Sequence, residues 1–117
     1  MTDRIPKLLV DALGAVASAQ EFLAGCSLEA YLAEKMRRSA VERQREILGE
    51  ACARIGKLEP ALIEANANLR LAIGLRNRII HGYADVDDEI VFQTVEEDLP
   101  PLKVDLEQML ARRTPSA

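Results

Sequence analysis

Apolar residues recur along most of this chain at intervals of three and four, the spacing of helices that each bury one face. Nowhere do apolar and polar residues alternate for long enough to make a strand. Leu9, Leu13, Val16 and Leu23, with Gln20 as a polar exception, outline a first helix. Pro6 has the fixed φ that suits its first turn, and Gly25 supplies a stop. Ser27 is placed to cap a short second helix reaching about Met36. Ser39 opens a long third helix, with Val41, Leu48, Ala51, Cys52 and Ile55 on one face and charges on the other, closed by Gly56 and Pro60. A turn over residues 61–66 leads to a fourth helix, about 69–81. Gly82 and Tyr83, with the acids of 85–88, form the next break. Asp87 or Asp88 caps a fifth helix running through Glu97, and Pro100 or Pro101 marks a kink or restart before 102–113. The expected architecture is all-α, a bundle of four to five helices forming one domain over residues 1–113, with a polar tail at 114–117.

Composition agrees with this. Aromatic residues make up 3% of the 117 positions and Trp is absent, so the core has to be built from Leu, Ile, Val and Ala, which suits helix-on-helix packing. The net charge of −4 gives no general attraction to nucleic acid, so any such contact has to be local. Cys26 and Cys52 lack the spacing of a zinc site or a disulfide framework and are expected to be buried free thiols. The first ten residues carry charge and a proline where a signal peptide needs an apolar run, and no stretch approaches the ~20 apolar residues of a membrane span. A cytoplasmic protein without membrane contact is expected.

The fourth helix departs from the generic pattern. Leu69, Ile73 and Ile80 share one face with Ala72 and Arg76, while Leu71, Leu75 and Ile79 line another. Two apolar faces imply packing on both sides, either inside the bundle or across a subunit interface. Between them runs a polar stripe, Arg70, Gly74, Asn77, Arg78 and His81. A glycine in mid-helix costs ~1 kcal/mol against alanine, which points to a close approach at Gly74 by another helix or a phosphate. Residues 66–83 hold three arginines and no acid, whereas 85–98 hold seven acids and no base. An arginine-rich helix end carrying the single histidine makes a candidate phosphate site, since guanidinium matches phosphate oxygens and imidazole exchanges protons near neutral pH. The plainer alternative is that His81 answers the helix dipole and Arg76 and Arg78 pair with the following acids.

The string Arg76-Asn77-Arg78-Ile79-Ile80-His81-Gly82-Tyr83 has the form R-x4-H-x-Y. It resembles the motif of HepT-like ribonuclease toxins within the HEPN superfamily. The flanks resemble that family too: Asp85, Asp87 and Asp88, then Val91-Phe92 and Asp98-Leu99-Pro100, and earlier the Gly49-Glu50-Ala51 stretch. The resemblance implies a two-fold homodimer with the fourth helix near the axis, and metal-independent RNA cleavage without a cofactor. It implies His81 as general acid and base, Arg76 as stabiliser of phosphate charge and Asn77 as an orienting group. Arg70 and Arg78 are possible RNA contacts. It also implies a minimal nucleotidyltransferase antitoxin that neutralises the toxin by transferring AMP to Tyr83.

Two further features leave alternatives open. Lys35, Arg37, Arg38, Arg43 and Arg45 form a second basic cluster, either an extension of an RNA-binding surface or a solvated face. A different class of function is a non-catalytic HEPN module that binds nucleotide or serves as the docking subunit of a nucleotidyltransferase; a third, a plain helical dimerisation domain, would not depend on His81.

Overall fold

The structure, a computed structural model, describes residues 3–80 and 88–113, apart from the side chains of 75–80. All the regular structure in these residues is helical. Helix α1, Ile5–Leu23, carries Pro6 in its first turn and buries Leu9, Ala12, Val16, Ala19 and Leu23 at helical spacing. It ends where Gly25 turns to φ 71°, a backbone state that costs glycine nothing. The Ser27 hydroxyl then accepts the Ala30 N–H at 3.1 Å and starts α2, Leu28–Ala33.

The boundary between α2 and α3 differs from the expected one. Glu34, extended at φ −107° and ψ 92°, closes α2 by donating its N–H to the Ala30 and Tyr31 carbonyls. Its own carbonyl accepts the Arg38 N–H at 3.0 Å, so α3 spans Lys35–Leu58 and Ser39 lies inside it. At the other end α3 runs past Gly56, and Pro60 opens a short helix α4, Pro60–Glu64, where a turn was expected. A proline at a first helical position lacks only an N–H that would have no partner there. Asn66 then caps α5, Ala67–Ile80, its Oδ1 accepting the N–H groups of Asn68 and Leu69 at 3.1 and 3.2 Å.

From Asp88 the chain is helical without a break to Arg113: α6 is Asp88–Gln93, a π-helical turn covers Thr94–Asp98, and α7 is Leu99–Arg113. Pro100 and Pro101 do not restart it after a break: they lie in the first turn of α7, and the Leu99 N–H reaches back to the Thr94 carbonyl. A proline ring in a regular α-helix collides with the carbonyl four residues earlier, and the wider π turn just ahead of the prolines gives that clearance.

Long helices α1, α3, α5 and α7 pack side by side, α3 lying between α1 and α5, with α7 against α1. Leu9, Val41, Ile55, Leu69 and Leu106 are fully buried at their junction. Each such side chain contributes about 1.5–3 kcal/mol of transfer free energy. The last residue of α7 ties the bundle shut: Arg113 pairs with Asp3 at 2.6 Å and with Glu59. Cys52 is a buried free thiol as expected, whereas the free Cys26 is only half-buried, its Sγ–H donating to the Ser27 carbonyl at 3.3 Å. Among the described residues no helix is long and apolar enough to cross a membrane.

Candidate active site

The N-terminal half of α5 is held firmly. Leu69 and Ala72 sit in the core, Asn66 caps the helix, and the Asn68 amide donates to Asp105 of α7 at 2.7 Å. Arg76, Asn77 and Arg78 follow on the last turns of the same helix. Their side chains, and the whole of His81, Gly82, Tyr83, Asp85 and Asp87, lie outside the described residues, as does the 114–117 tail.

One of the two apolar faces expected of this helix is covered by the chain itself, through Leu69, Ala72 and Ile73. On the other, Leu71 is 45% exposed. Around Gly74 an added Cβ would meet no described atom within 4 Å. The close approach that its presence in mid-helix implied therefore does not come from the described part of this chain. Arg70 spends its guanidinium on α4, Nη1 donating to the Ile63 carbonyl at 2.9 Å and to the Glu64 carbonyl. It thus satisfies carbonyls at the end of α4, and any contact with RNA would have to replace those bonds.

The second basic cluster is dispersed. Arg37 pairs with Glu34 at 2.6 Å, Arg43 with Glu46 at 3.3 Å, and Arg45 is buried on the inner face of α3, 5% exposed. Arg38 reaches out of its own helix to Asp88 at 3.4 Å and also donates to the Leu32 carbonyl. Asp88 is the first residue of α6 and the first described residue after the motif.

Around this pair gathers a polar group that the hydrophobic pattern did not single out. Glu42, one turn along α3 from Arg38, shares a side-chain hydrogen bond with Asp88. Burial and that bond hold its carboxyl above the ordinary carboxylate range. Tyr31 of α2 is fully buried beside them, its ring 5.6 Å from that of Phe92 on α6. Its hydroxyl has no hydrogen-bond partner among the described residues. Burial, with the Asp88 and Glu42 charges nearby, pushes its pKa up to about 12. A signal for this group exists in the sequence: Arg38 and Arg45 occupy the same stripe as Val41, Leu48, Cys52 and Ile55, where a simple amphipathic helix would be apolar. Among the described residues no three His, Cys, Asp or Glu side chains converge as metal ligands.

Comparison with known proteins places these features in a family. The model of the ribonuclease HepT-like family matches residues 12–109. A protein of Thermococcus cleftensis named "Probable ribonuclease HepT" is 32% identical over 105 residues, covering 86% of this chain and 91% of its own. A Methanocaldococcus jannaschii protein named "Putative RNase" is 31% identical over 103 residues, 88% of this chain and 94% of that one. A third, of Caldanaerobacter subterraneus and similarly named, is 26% identical over 92 residues, with 79% and 81% covered. No solved structure gives a significant match. The matched span takes in α3, α5 and the entire Arg76–Tyr83 string, and the chain belongs to the ribonuclease HepT-like family.

Proposed function

We propose that this protein is a metal-independent endoribonuclease acting as the toxin of a toxin–antitoxin pair. The observation that carries the reading is the family match through residues 12–109, which contains the complete Arg76, His81 and Tyr83 set. In the reaction, the ribose 2′-oxygen attacks the adjacent phosphorus while its proton passes to a neutral His81 imidazole. The bond from phosphorus to the 5′-oxygen breaks, and that oxygen takes a proton from a second, protonated imidazole. The products are a 2′,3′-cyclic phosphate and a 5′-hydroxyl. Arg76 stabilises the charge that builds on the phosphate, and Asn77 orients the phosphate or the imidazole.

One chain holds a single histidine, and a two-fold homodimer supplies the second. The exposed Leu71 and the open space at Gly74 favour a second copy packing against α5. Neutralisation by a nucleotidyltransferase antitoxin follows the same geometry of sequence. The Tyr83 oxygen attacks the α-phosphorus of ATP, pyrophosphate leaves, and a bulky anionic nucleotide sits two residues from His81, where it competes for the arginines.

Two experiments test this. Cleavage of total RNA should fall by at least ~100-fold in His81→Ala and in Arg76→Ala with far-UV circular dichroism unchanged, and retained cleavage would discard the residue roles. Protein co-expressed with a minimal nucleotidyltransferase should gain the mass of one AMP per chain. Addition that persists in Tyr83→Phe would move the acceptor elsewhere.

A further inference from the structure

The continuous helix that begins at Asp88 is anchored unevenly along its length. Its second part, α7, buries Leu99, Leu102, Leu106 and Met109. It is tied to α5 by the Asn68–Asp105 bond, and Arg113 pairs with Asp3 and Glu59. The π turn ahead of it is sunk in the core as well, with Thr94 and Val95 buried. Among the six residues of α6, Val91 alone is buried.

Much of the remaining hold on α6 is of a kind that water can replace. Phe92 is half-buried, its ring 5.6 Å from that of Tyr31. Asp88 pairs with Arg38 at 3.4 Å and shares a hydrogen bond with Glu42, and Glu89 takes part in a further interaction. Half-buried ion pairs give up little on hydration, because the charges regain the solvation they lost. The Tyr31 hydroxyl nearby is buried with no hydrogen-bond partner among the described residues, a penalty that lifts once water reaches it.

Between the firm part and the loose part the main chain is weakened. The Leu99 N–H reaches the Thr94 carbonyl across the π turn. Pro100 and Pro101 follow, and neither has an N–H to offer the carbonyls of the preceding turn. The Thr94 hydroxyl donates to the Ile90 carbonyl at 2.8 Å, a bond of the type that bends helices. Helices give way where π turns and prolines interrupt the regular ladder.

We propose that α6 is a hinged segment: it leaves α2 and α3 as a unit, turning where it meets the Thr94–Asp98 π turn, while α1, α3, α5 and α7 remain folded. The opening is a local event of the native state and costs less than unfolding of the bundle. It is independent of the ribonuclease reading, since it involves no step of catalysis.

Thiol labelling tests it. In a Cys26→Ser background, Val91→Cys puts a thiol on the buried side of α6, Val95→Cys one in the π turn and Val16→Cys one in α1, with the native Cys52 as a further core thiol. Circular dichroism and the unfolding midpoint check each variant. Labelling by a small thiol reagent is followed from no urea to just below the midpoint. Val91→Cys should label at least about tenfold faster than Val16→Cys, with a urea slope less than about half that of global unfolding. Val95→Cys and Cys52 should keep the global slope. Pro100→Ala with Pro101→Ala restores two N–H groups, and should slow labelling at Val91→Cys about threefold or more without altering Val16→Cys. Rate and slope at Val91→Cys equal to those at Val16→Cys overturn the proposal, because α6 then opens only with the bundle. Shallow slopes at both Val91→Cys and Val95→Cys overturn the hinge, since the π turn would then belong to the moving part. Unchanged labelling of Val91→Cys in the double alanine chain overturns it too. If Val91→Cys fails to fold, amide exchange of the wild type at Phe92 and Gln93, compared with α1, is held to the same criteria of rate and slope.

Discussion

Replacing Gly56 by alanine and Gly14 by alanine should move stability in opposite directions, although both glycines lie inside helices. In an open helix interior the change from glycine to alanine gains about 1 kcal/mol, mostly by restricting the unfolded chain. Gly14 on α1 has that openness, since an added Cβ meets no described atom within 4 Å. At Gly56 on α3 the new Cβ would stand 2.7 Å from Cγ1 of Ile63, with Cδ1 at 3.5 Å and Cβ at 3.7 Å. That is roughly 0.8 Å inside the ~3.5 Å at which two carbons sit comfortably. Ile63 is β-branched and stiff at χ1, so it cannot swing its Cγ1 away without leaving its rotamer. Overpacking of this kind costs ~1–3 kcal/mol, which outweighs the propensity gain. The expected result is Gly14→Ala about 1 kcal/mol more stable than wild type and Gly56→Ala about 1 kcal/mol less, a gap near 2 kcal/mol. Urea unfolding followed by circular dichroism would show it as midpoints about 1 M apart at matched slopes. In an Ile63→Ala background, which removes the offending carbon, Gly56→Ala should turn stabilising. If Gly56→Ala is as stable as Gly14→Ala in the wild-type background, α4 yields freely and the close packing of α3 on α4 is wrong.

Other consequences are open to measurement. Tyr31→Phe removes a buried hydroxyl without a described partner, so stability should be unchanged or up to ~1 kcal/mol higher; a loss beyond 1 kcal/mol would mean that the hydroxyl is bonded. Burial pushes the Cys52 thiol from 9.0 up to about 12 and the Tyr31 phenol from 10.0 up to about 12, so the folded state holds both protons more tightly than the unfolded one. Their contribution is complete below the unfolded values and is lost as pH rises through about 12, which an alkaline unfolding series would reveal as stability falling from pH 9 upward. At neutral pH a thiol reagent should label the half-buried Cys26 in the native protein and reach Cys52 only on unfolding; equal rates would contradict the burial of Cys52. Gly74→Ala should stiffen α5 yet weaken dimerisation in sedimentation at micromolar concentration, and an unchanged dimer would remove the close approach proposed there.

Much of the fold can be read from spacing. Leu9, Val16, Leu23, Val41, Leu48, Ile55 and Leu69 all sit in the core as their periodicity implied, because a stripe at three and four can only be buried by helix packing. Boundaries were less legible. Ser39 looked like a cap and Pro60 like a terminator, but capping power and proline have opposite meanings one turn inside a helix and at its first residue, and only the backbone of Glu34 and Glu59 decides between them. The π turn before Pro100 was not legible either, since a strained helix and a broken one share the same sequence signal. Arg45 belongs by composition to the basic cluster of 35–45, yet its position, four after Val41 and three before Leu48, puts it on the inner face of α3, where it is buried. The segment 76–83 stands out by its arginines, its single histidine and its lack of acids, while the roles given to its residues come from resemblance. The Arg38–Asp88 contact joins residues fifty positions apart: the stripe marks Arg38 as a charge on the inner face, but local pattern does not name its partner.

The central claim is that the Arg76–Tyr83 segment cleaves RNA by histidine chemistry. Its most direct test is cleavage of tRNA and total RNA by purified protein in EDTA, wild type against His81→Ala, with product ends identified and Tyr83 confirmed unmodified by mass. The account predicts wild-type cleavage that survives EDTA, leaves 2′,3′-cyclic phosphate and 5′-hydroxyl ends, and disappears in His81→Ala. Cleavage that requires a divalent ion, or that continues at the wild-type rate without His81, would contradict it.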